Sequence, residues 1–278
     1  MEEENRHRRV QDHPGRRGLS PTAPAAPIGV FDSGVGGLSI LRALRAELPA
    51  EDFVYLADSG FAPYGERDEE FVVERALAVA QRLRNEHAIK ALVIACNTAT
   101  AAAVHLLRKE LPGLPIVGVE PALKPALALT RTGRIGVLAT RATLASAKFG
   151  ALHDGVRSQA EFALQACDGL ADAIESHDAA RIDALCSRYI LALGRTGSTP
   201  GAIDTLVLGC THYPFAHLQL QALVGPAVRL VETGEPVARQ TRRLLEAASS
   251  LKTRGDGSAS FISTGDATRL AHAVSLWL

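Results

Sequence analysis

Two of the four cysteines stand in matching places. Cys96 closes the run ALVIAC and is followed by Asn97 and Thr98; Cys210 closes TLVLGC and is followed by Thr211 and His212. Each thiol therefore falls where an apolar strand ends and a capped helix begins. The positive end of a helix favours the thiolate, so the sequence predicts a lowered pKa at both positions. A lone cysteine at a strand end is ordinarily a small core residue. Two in equivalent contexts suit a reaction that needs two acid/base groups, such as removing a proton from one face of a carbon and returning one to the other. A thiol hydrolase or transferase needs only one nucleophile and a base, and a non-catalytic binding protein needs neither; both alternatives stay open at this point. His212, two residues after Cys210, is a candidate activating base. Asp32 and Asp58 end the first two apolar runs and read either as turn residues or as groups that tune protonation. Spacing alone does not single out Glu175, in GLADAIES. Cys167 and Cys186 lack small polar flanks and read as structural.

The elements that must position these residues follow a regular grammar from Ile28 onward. IGVF leads into a glycine-rich turn and a helix with Leu38, Leu41, Leu44 and Leu48 on one face. FVYLAD (53–58) and ALVIAC (91–96) read as further strands, with helical periodicity between and after them. Continuous apolar runs alternating with helices predict an α/β fold with parallel sheets. The second half repeats the pattern: IGVLAT (135–140) resembles IGVFDS (28–33), and TLVLGCTH resembles ALVIACNT. Ligands of such folds bind beyond the carboxyl ends of the strands, which is where both thiols fall.

The turn DSGVGGLS (32–39) sits where a dinucleotide-binding loop would. Its glycines do not follow G-x-G-x-x-G, and Asp32 would oppose a pyrophosphate, so nicotinamide dinucleotide binding is disfavoured. Backbone N–H groups at Ser33, Asn97 and Thr211 are candidate anchors for substrate carboxylates. None of the five lysines lies at the carboxyl end of a strand, which leaves no Schiff-base candidate.

The bulk composition narrows the partners. Thirty basic and thirty acidic residues cancel among the 278, leaving no charge excess to draw nucleic acid. No run is long and apolar enough to be read as a membrane span. Four cysteines without a C-x-x-C pair read as reduced thiols of a cytoplasmic protein. Residues 1–26 carry five arginines, four acidic residues and SPTAPAAP, and read as a disordered leader.

The motifs DSGVGG (32–37), APYG (62–65), ACNTAT (95–100) and GCTHYP (209–214), in this order, resemble the glutamate racemases of the aspartate/glutamate racemase family. The resemblance runs over most of residues 28–278. It implies two similar Rossmann-like α/β domains with parallel sheets facing each other across an active-site cleft. The first would comprise 27–120 plus 230–278 and the second 121–229. It further implies Cys96 and Cys210 as catalytic thiols serving opposite stereochemical directions, without pyridoxal phosphate, other cofactor or metal. Asp32, Ser33, Tyr64, Gly65, Asn97, Thr98, Thr211 and His212 match the family's substrate-binding set. Thr140 and Thr143 match a further threonine pair, and Asp58, Glu175 and His212 its supporting acid/base residues. Asp32 and His212 join the thiols as catalytic candidates. The implied role is supply of D-glutamate for peptidoglycan, commonly by a homodimer, with no nucleic-acid or membrane partner. Phe61, before PYG, and Asp168, after Cys167, depart from the family's usual residues without touching the motifs.

Overall fold

The computed structural model describes residues 24–278. IGVFD forms β1 (Ile28–Asp32), flanked by β2 (Phe53–Ala57) and β3 (Ala91–Ile94). All residues of these three strands are buried, as expected for parallel strands covered on both faces. β4 (Ile116–Gly118) extends the sheet beyond β3. The second sheet is built from β5 (Arg134–Ala139), β6 (Glu161–Ala166), β7 (Thr205–Leu208) and β8 (Arg229–Val231). Its order, β6-β5-β7-β8, repeats that of the first four strands, β2-β1-β3-β4. The last strand, β9 (Ala259–Ser263), returns to the first sheet and pairs with β2. All pairings within both sheets are parallel.

The two halves also match in register. Ile28 pairs with Ala91, and Ile135, its counterpart, pairs with Thr205. Cys96 and Cys210 each follow those partners by five positions. The internal similarity read from short motifs is thus a similarity of topology, and it puts the two thiols at equivalent points of two sheets.

Eleven helices occupy the connections among the described residues. In the first half, α1 (Leu38–Glu47) buries Leu38, Leu41 and Leu44, the stripe expected from its periodicity. α2 (Glu69–His87) starts at Asp68, whose side chain accepts a hydrogen bond from Phe71 N–H. α3 (Asn97–Glu110) starts directly after Cys96. The second half contributes α4 (Leu123–Leu129), α5 (Arg141–Ala145), α6 (Ala147–Asp154), α7 (Leu170–Glu175), α8 (Ala179–Leu193) and α9 (His217–Val224). α10 (Gly234–Ala247) then packs on α1, so closely that a Cβ on Gly234 would lie 2.9 Å from that of Ala43. α11 (Ala267–Trp277) closes the chain. Its Trp277 stacks on Phe215 with ring centroids 3.8 Å apart, and both side chains touch the apolar clusters of the two sheets.

The leader read as disordered lies outside the described residues up to position 23. Its last three residues form a turn whose Pro24 carbonyl accepts from Lys90 Nζ at 2.6 Å. Lys90 is fully buried and ion-paired to Glu51 at 2.5 Å, and a buried ammonium needs every such acceptor. Among the described residues no helix is long and apolar enough to cross a membrane.

Candidate active site

The carboxyl ends of the two sheets meet around a narrow cleft, and both Cys96 and Cys210 line it. Ser33, Tyr64, Gly65, Asn97, Thr98, Thr211 and His212 line it too. The structure thus brings the sequence-derived candidates together from chain segments far apart. Asp32 does not line the cleft; it stands just behind it.

On the first side, Cys96 is the N-cap of α3 and its sulfur accepts from Ala99 N–H at 3.5 Å. The Ser33 hydroxyl stands 3.9 Å from the sulfur. Asp32 ends β1 with its carboxylate turned back over the glycine turn, accepting from Gly37 N–H at 2.8 Å. Its Oδ1 is buried without a hydrogen-bond partner. Burial pushes the Asp32 carboxyl up; the charge of Glu175 adds to this, while His212 and the Gly37 N–H pull back.

The expected lowering of the Cys96 pKa is reversed. Burial pushes this thiol well above its ordinary range and the Asp32 charge reinforces the rise; the Ala99 and Ser33 N–H groups pull the other way without prevailing. The helix terminus is present, as the sequence indicates, but it acts on a group that is 5% exposed. Desolvation in so closed a site outweighs a half-charge at a helix end.

The second side is built differently. Cys210 is followed by a 3-10 turn over Tyr213–Ala216, with Pro214 in its first positions, before α9 begins. Pro214, a residue suited to a helix start, thus opens a 3-10 turn, and the α-helix proper begins one turn later. What stands next to Cys210 is an imidazole: His212 Nδ1 lies 3.7 Å from the sulfur. His212 Nε2 lies 2.6 Å from Glu175 Oε1. Burial disfavours a charge on His212, but the hydrogen bonds and charges of Cys210 and Glu175 outweigh it and hold the imidazole well above its ordinary range. Glu175, at the end of α7, is the residue that spacing did not select. It reaches His212 only through the packing of α7 against the segment after β7.

The glycine turn now has a physical explanation. A Cβ on Gly34 would fall 1.8 Å from Glu175 Oε1, and one on Gly36 would fall 2.2 Å from His212 Nδ1. Glu175 Oε1 also accepts from Val35 N–H at 2.6 Å. The turn is bare because the second half inserts its imidazole and carboxylate against it, and its N–H groups serve Asp32 and Glu175. Further contacts join the halves. Thr98 and Thr140 hydroxyls lie 3.1 Å apart, Thr140 donates to Thr143 at 2.9 Å, and a Cβ on Gly65 would meet Thr140 Cγ2 at 2.8 Å. Gly169 N–H donates to Glu66 across the cleft at 3.1 Å, and Ser39 Oγ donates to the Thr211 carbonyl at 2.8 Å.

Tyr64 is held from behind. Its hydroxyl donates to Asp58, whose carboxylate also receives both Nε and Nη2 of Arg75 at 3.0 Å and Thr264 Oγ1 at 2.8 Å. Asp58 thereby positions Tyr64 rather than facing either thiol. Asn97 differs from all of these. It is buried, it lines the cleft, and neither atom of its amide has a hydrogen-bond partner. Cys186 is packed in the second-sheet core, where burial pushes it up to about 11, in line with a structural role. Cys167 is also buried but forms part of the cleft wall. Among the described residues no group of three or more His, Cys, Asp or Glu side chains is arranged to hold a metal ion.

The model of the Asp/Glu/Hydantoin racemase family matches residues 28–241. The chain belongs to this racemase family. It is accordingly an isomerase. The glutamate racemase of Ectopseudomonas mendocina is 48% identical over 253 residues, covering 91% of this chain and 95% of that protein. Among solved structures, glutamate racemase isoform RacE1 from Bacillus anthracis superposes with a TM-score of 0.79 at 32% identity, covering 91% of this chain and 93% of the other. Escherichia coli glutamate racemase, in complex with L-glutamate and the activator UDP-MurNAc-ala, gives 0.77 at 30% identity, covering 91% and 95%. Racemases of this family thus share the two-sheet architecture, and the match takes in both halves of the cleft.

Proposed function

We propose that this racemase interconverts L- and D-glutamate by a two-base mechanism in which Cys96 and Cys210 act on opposite faces of the α-carbon. The observation that carries this reading is the placement of both thiols, at equivalent points of two facing sheets, on the wall of one cleft. A thiolate on one side takes the α-proton and forms a thiol. The thiol on the other side gives its proton to the opposite face and becomes a thiolate. Bonds and charge balance, and the enzyme is left primed for the reverse direction. The reading calls on no cofactor, because the groups that take and give the proton belong to the chain.

Cys96 waits as a thiol, which makes it the natural proton donor of the resting site. The His212–Glu175 pair supports the other thiol: an imidazolium beside Cys210 stabilises the thiolate that must accept a proton. Asp32 governs the Cys96 side through its charge. The unpartnered Asn97 amide, with Ser33, Tyr64, Gly65, Thr98, Thr211 and His212, supplies the polar wall for the substrate. The choice of glutamate rests on the relatives named glutamate racemase and on the L-glutamate in the E. coli structure. D-Glutamate made this way would serve peptidoglycan synthesis in the cytoplasm, from a homodimer whose protomers divide into 27–120 plus 230–278 and 121–229.

The test is L-glutamate and purified enzyme in D2O, without added cofactor, followed by proton NMR and optical rotation. Early D-glutamate should carry deuterium at Cα while the remaining L-glutamate does not. Early label in both pools would mean that one group exchanges with both faces. Full turnover in both directions by Cys210→Ala would also overturn the two-thiol reading and leave a single-thiol enzyme.

A further inference from the structure

The chain of contacts behind Cys210 does not stop at Glu175. The N–H of Val35 donates to Glu175, and the carbonyl of the same peptide unit, that of Gly34, accepts from Tyr55 Oη at 2.7 Å. Tyr55 lies fully buried on β2 in the first sheet. The turn packs closely on its hydroxyl: a Cβ on Gly37 would come within 2.8 Å of Tyr55 Oη and 2.7 Å of Asp32 Cβ. One peptide therefore accepts a hydrogen bond on one edge and donates one on the other. A carbonyl so engaged makes its own N–H a stronger donor, and the two bonds polarise each other.

We propose that Tyr55 is a positioning residue for the reaction. Through the Gly34–Val35 peptide it fixes Glu175, and through Glu175 and His212 it sets the Cys210 side of the cleft. The first sheet thus tunes the thiol carried by the second. Tyr55 touches no reacting atom, and its ring also packs in the core near Phe261 with centroids 6.3 Å apart. The ring alone would serve that packing; the hydroxyl is what reaches the turn. The inference rests on the two-thiol reading above.

Tyr55→Phe removes one oxygen and keeps the ring. kcat should fall about tenfold, the worth of one hydrogen bond in a charged network, with KM little changed. With Cα-deuterated L- and D-glutamate, the isotope effect on kcat should rise in only one direction, that in which Cys210 takes the proton. In a Glu175→Gln background the same change should cost far less, since the two residues act in series. Placing 3-fluorotyrosine at position 55 keeps the hydroxyl and makes it a stronger donor, so kcat should be retained and the isotope effect in that direction should not exceed its wild-type value; this arm stands even if Tyr55→Phe does not fold. A variant that only melts lower, with kcat and isotope effects unchanged, would show a packing role and overturn the proposal. So would isotope effects that rise equally in both directions. A wild-type enzyme inactive on both enantiomers would instead overturn the glutamate reading.

Discussion

Gly34 is a glycine because of Glu175: a Cβ at position 34 would lie 1.8 Å from the carboxylate oxygen that holds His212. Space, not backbone conformation, makes the demand, since φ at Gly34 is not positive. Gly34→Ala must push the carboxylate away and break its contact with the imidazole. We expect kcat to drop on the order of 100-fold, the scale of an ångström-sized misplacement at a reacting site, with circular dichroism unchanged. Gly150→Ala is the control. Apart from its own helix backbone and chain neighbours, nothing lies within 4 Å of a Cβ built there, and the position is inside α6, so activity should stay intact and stability rise by about 0.5–1 kcal/mol.

Asn97 offers a different separation. Its amide has no hydrogen-bond partner although it is buried, so Asn97→Ala gives up no contact within the protein and relieves a desolvated group. The unliganded variant should melt at or above the wild-type temperature. Glutamate should raise the melting temperature of the wild type through binding to the native state and raise that of the variant much less. A variant that melts lower but binds glutamate normally would remove Asn97 from the substrate wall.

The chain order made half of this site legible. Asp32, Ser33, Cys96, Asn97, Thr98, Cys210, Thr211 and His212 all sit within two residues of an apolar run's end, and strand ends are where α/β folds place ligands. Glu175 could not be found that way, because it meets His212 through helix packing that no local pattern encodes. The same holds for the glycine turn: its residues speak against a nucleotide loop, but its purpose appears only when His212 and Glu175 are set against it. The direction of the Cys96 pKa is not legible in the sequence for a related reason. A helix N-terminus is visible in ACNTAT, whereas the desolvation that overrides it comes from a second sheet closing over the first. The parallel sheets followed from continuous apolar runs, while the return of β9 to β2 was implied only by family resemblance.

The C-terminal segment that completes the first sheet is clasped by Asp52, which takes Lys252 Nζ at 2.6 Å, Ser258 N–H at 3.0 Å and Ser258 Oγ at 2.7 Å. The hydrogen bonds from Lys252 and Ser258 hold its carboxyl down at about 2. An unfolded aspartate titrates near ~3.9. A group lowered on folding stabilises the protein above its unfolded pKa, and that stability is lost as pH falls toward the folded value. Thermal melts should therefore decline between about pH 4 and pH 2 in the wild type. Asp52→Asn should lower the melting temperature at pH 7 by about 2–4 °C and flatten the decline over that window.

Cys96 makes the opposite prediction at the other end of the scale. Burial and the Asp32 charge hold it as a thiol well above the ordinary range, so the folded protein keeps a proton that the unfolded chain releases near ~8.5. A group raised on folding stabilises the protein below its unfolded pKa, and that stability is lost as pH rises toward the folded value. Melting temperature should fall as pH is raised above about 8.5, and Cys96→Ala should weaken that fall. Reactivity tests the same point directly. In a Cys210→Ser variant, alkylation of Cys96 by iodoacetamide, followed by mass spectrometry of the peptide that carries it, requires the thiolate. Its rate should still be climbing at pH 9, where a free thiol would be mostly ionised. A rate already level at pH 7 would mean that the helix N-terminus, not burial, governs Cys96, and that this thiol begins the cycle as the base.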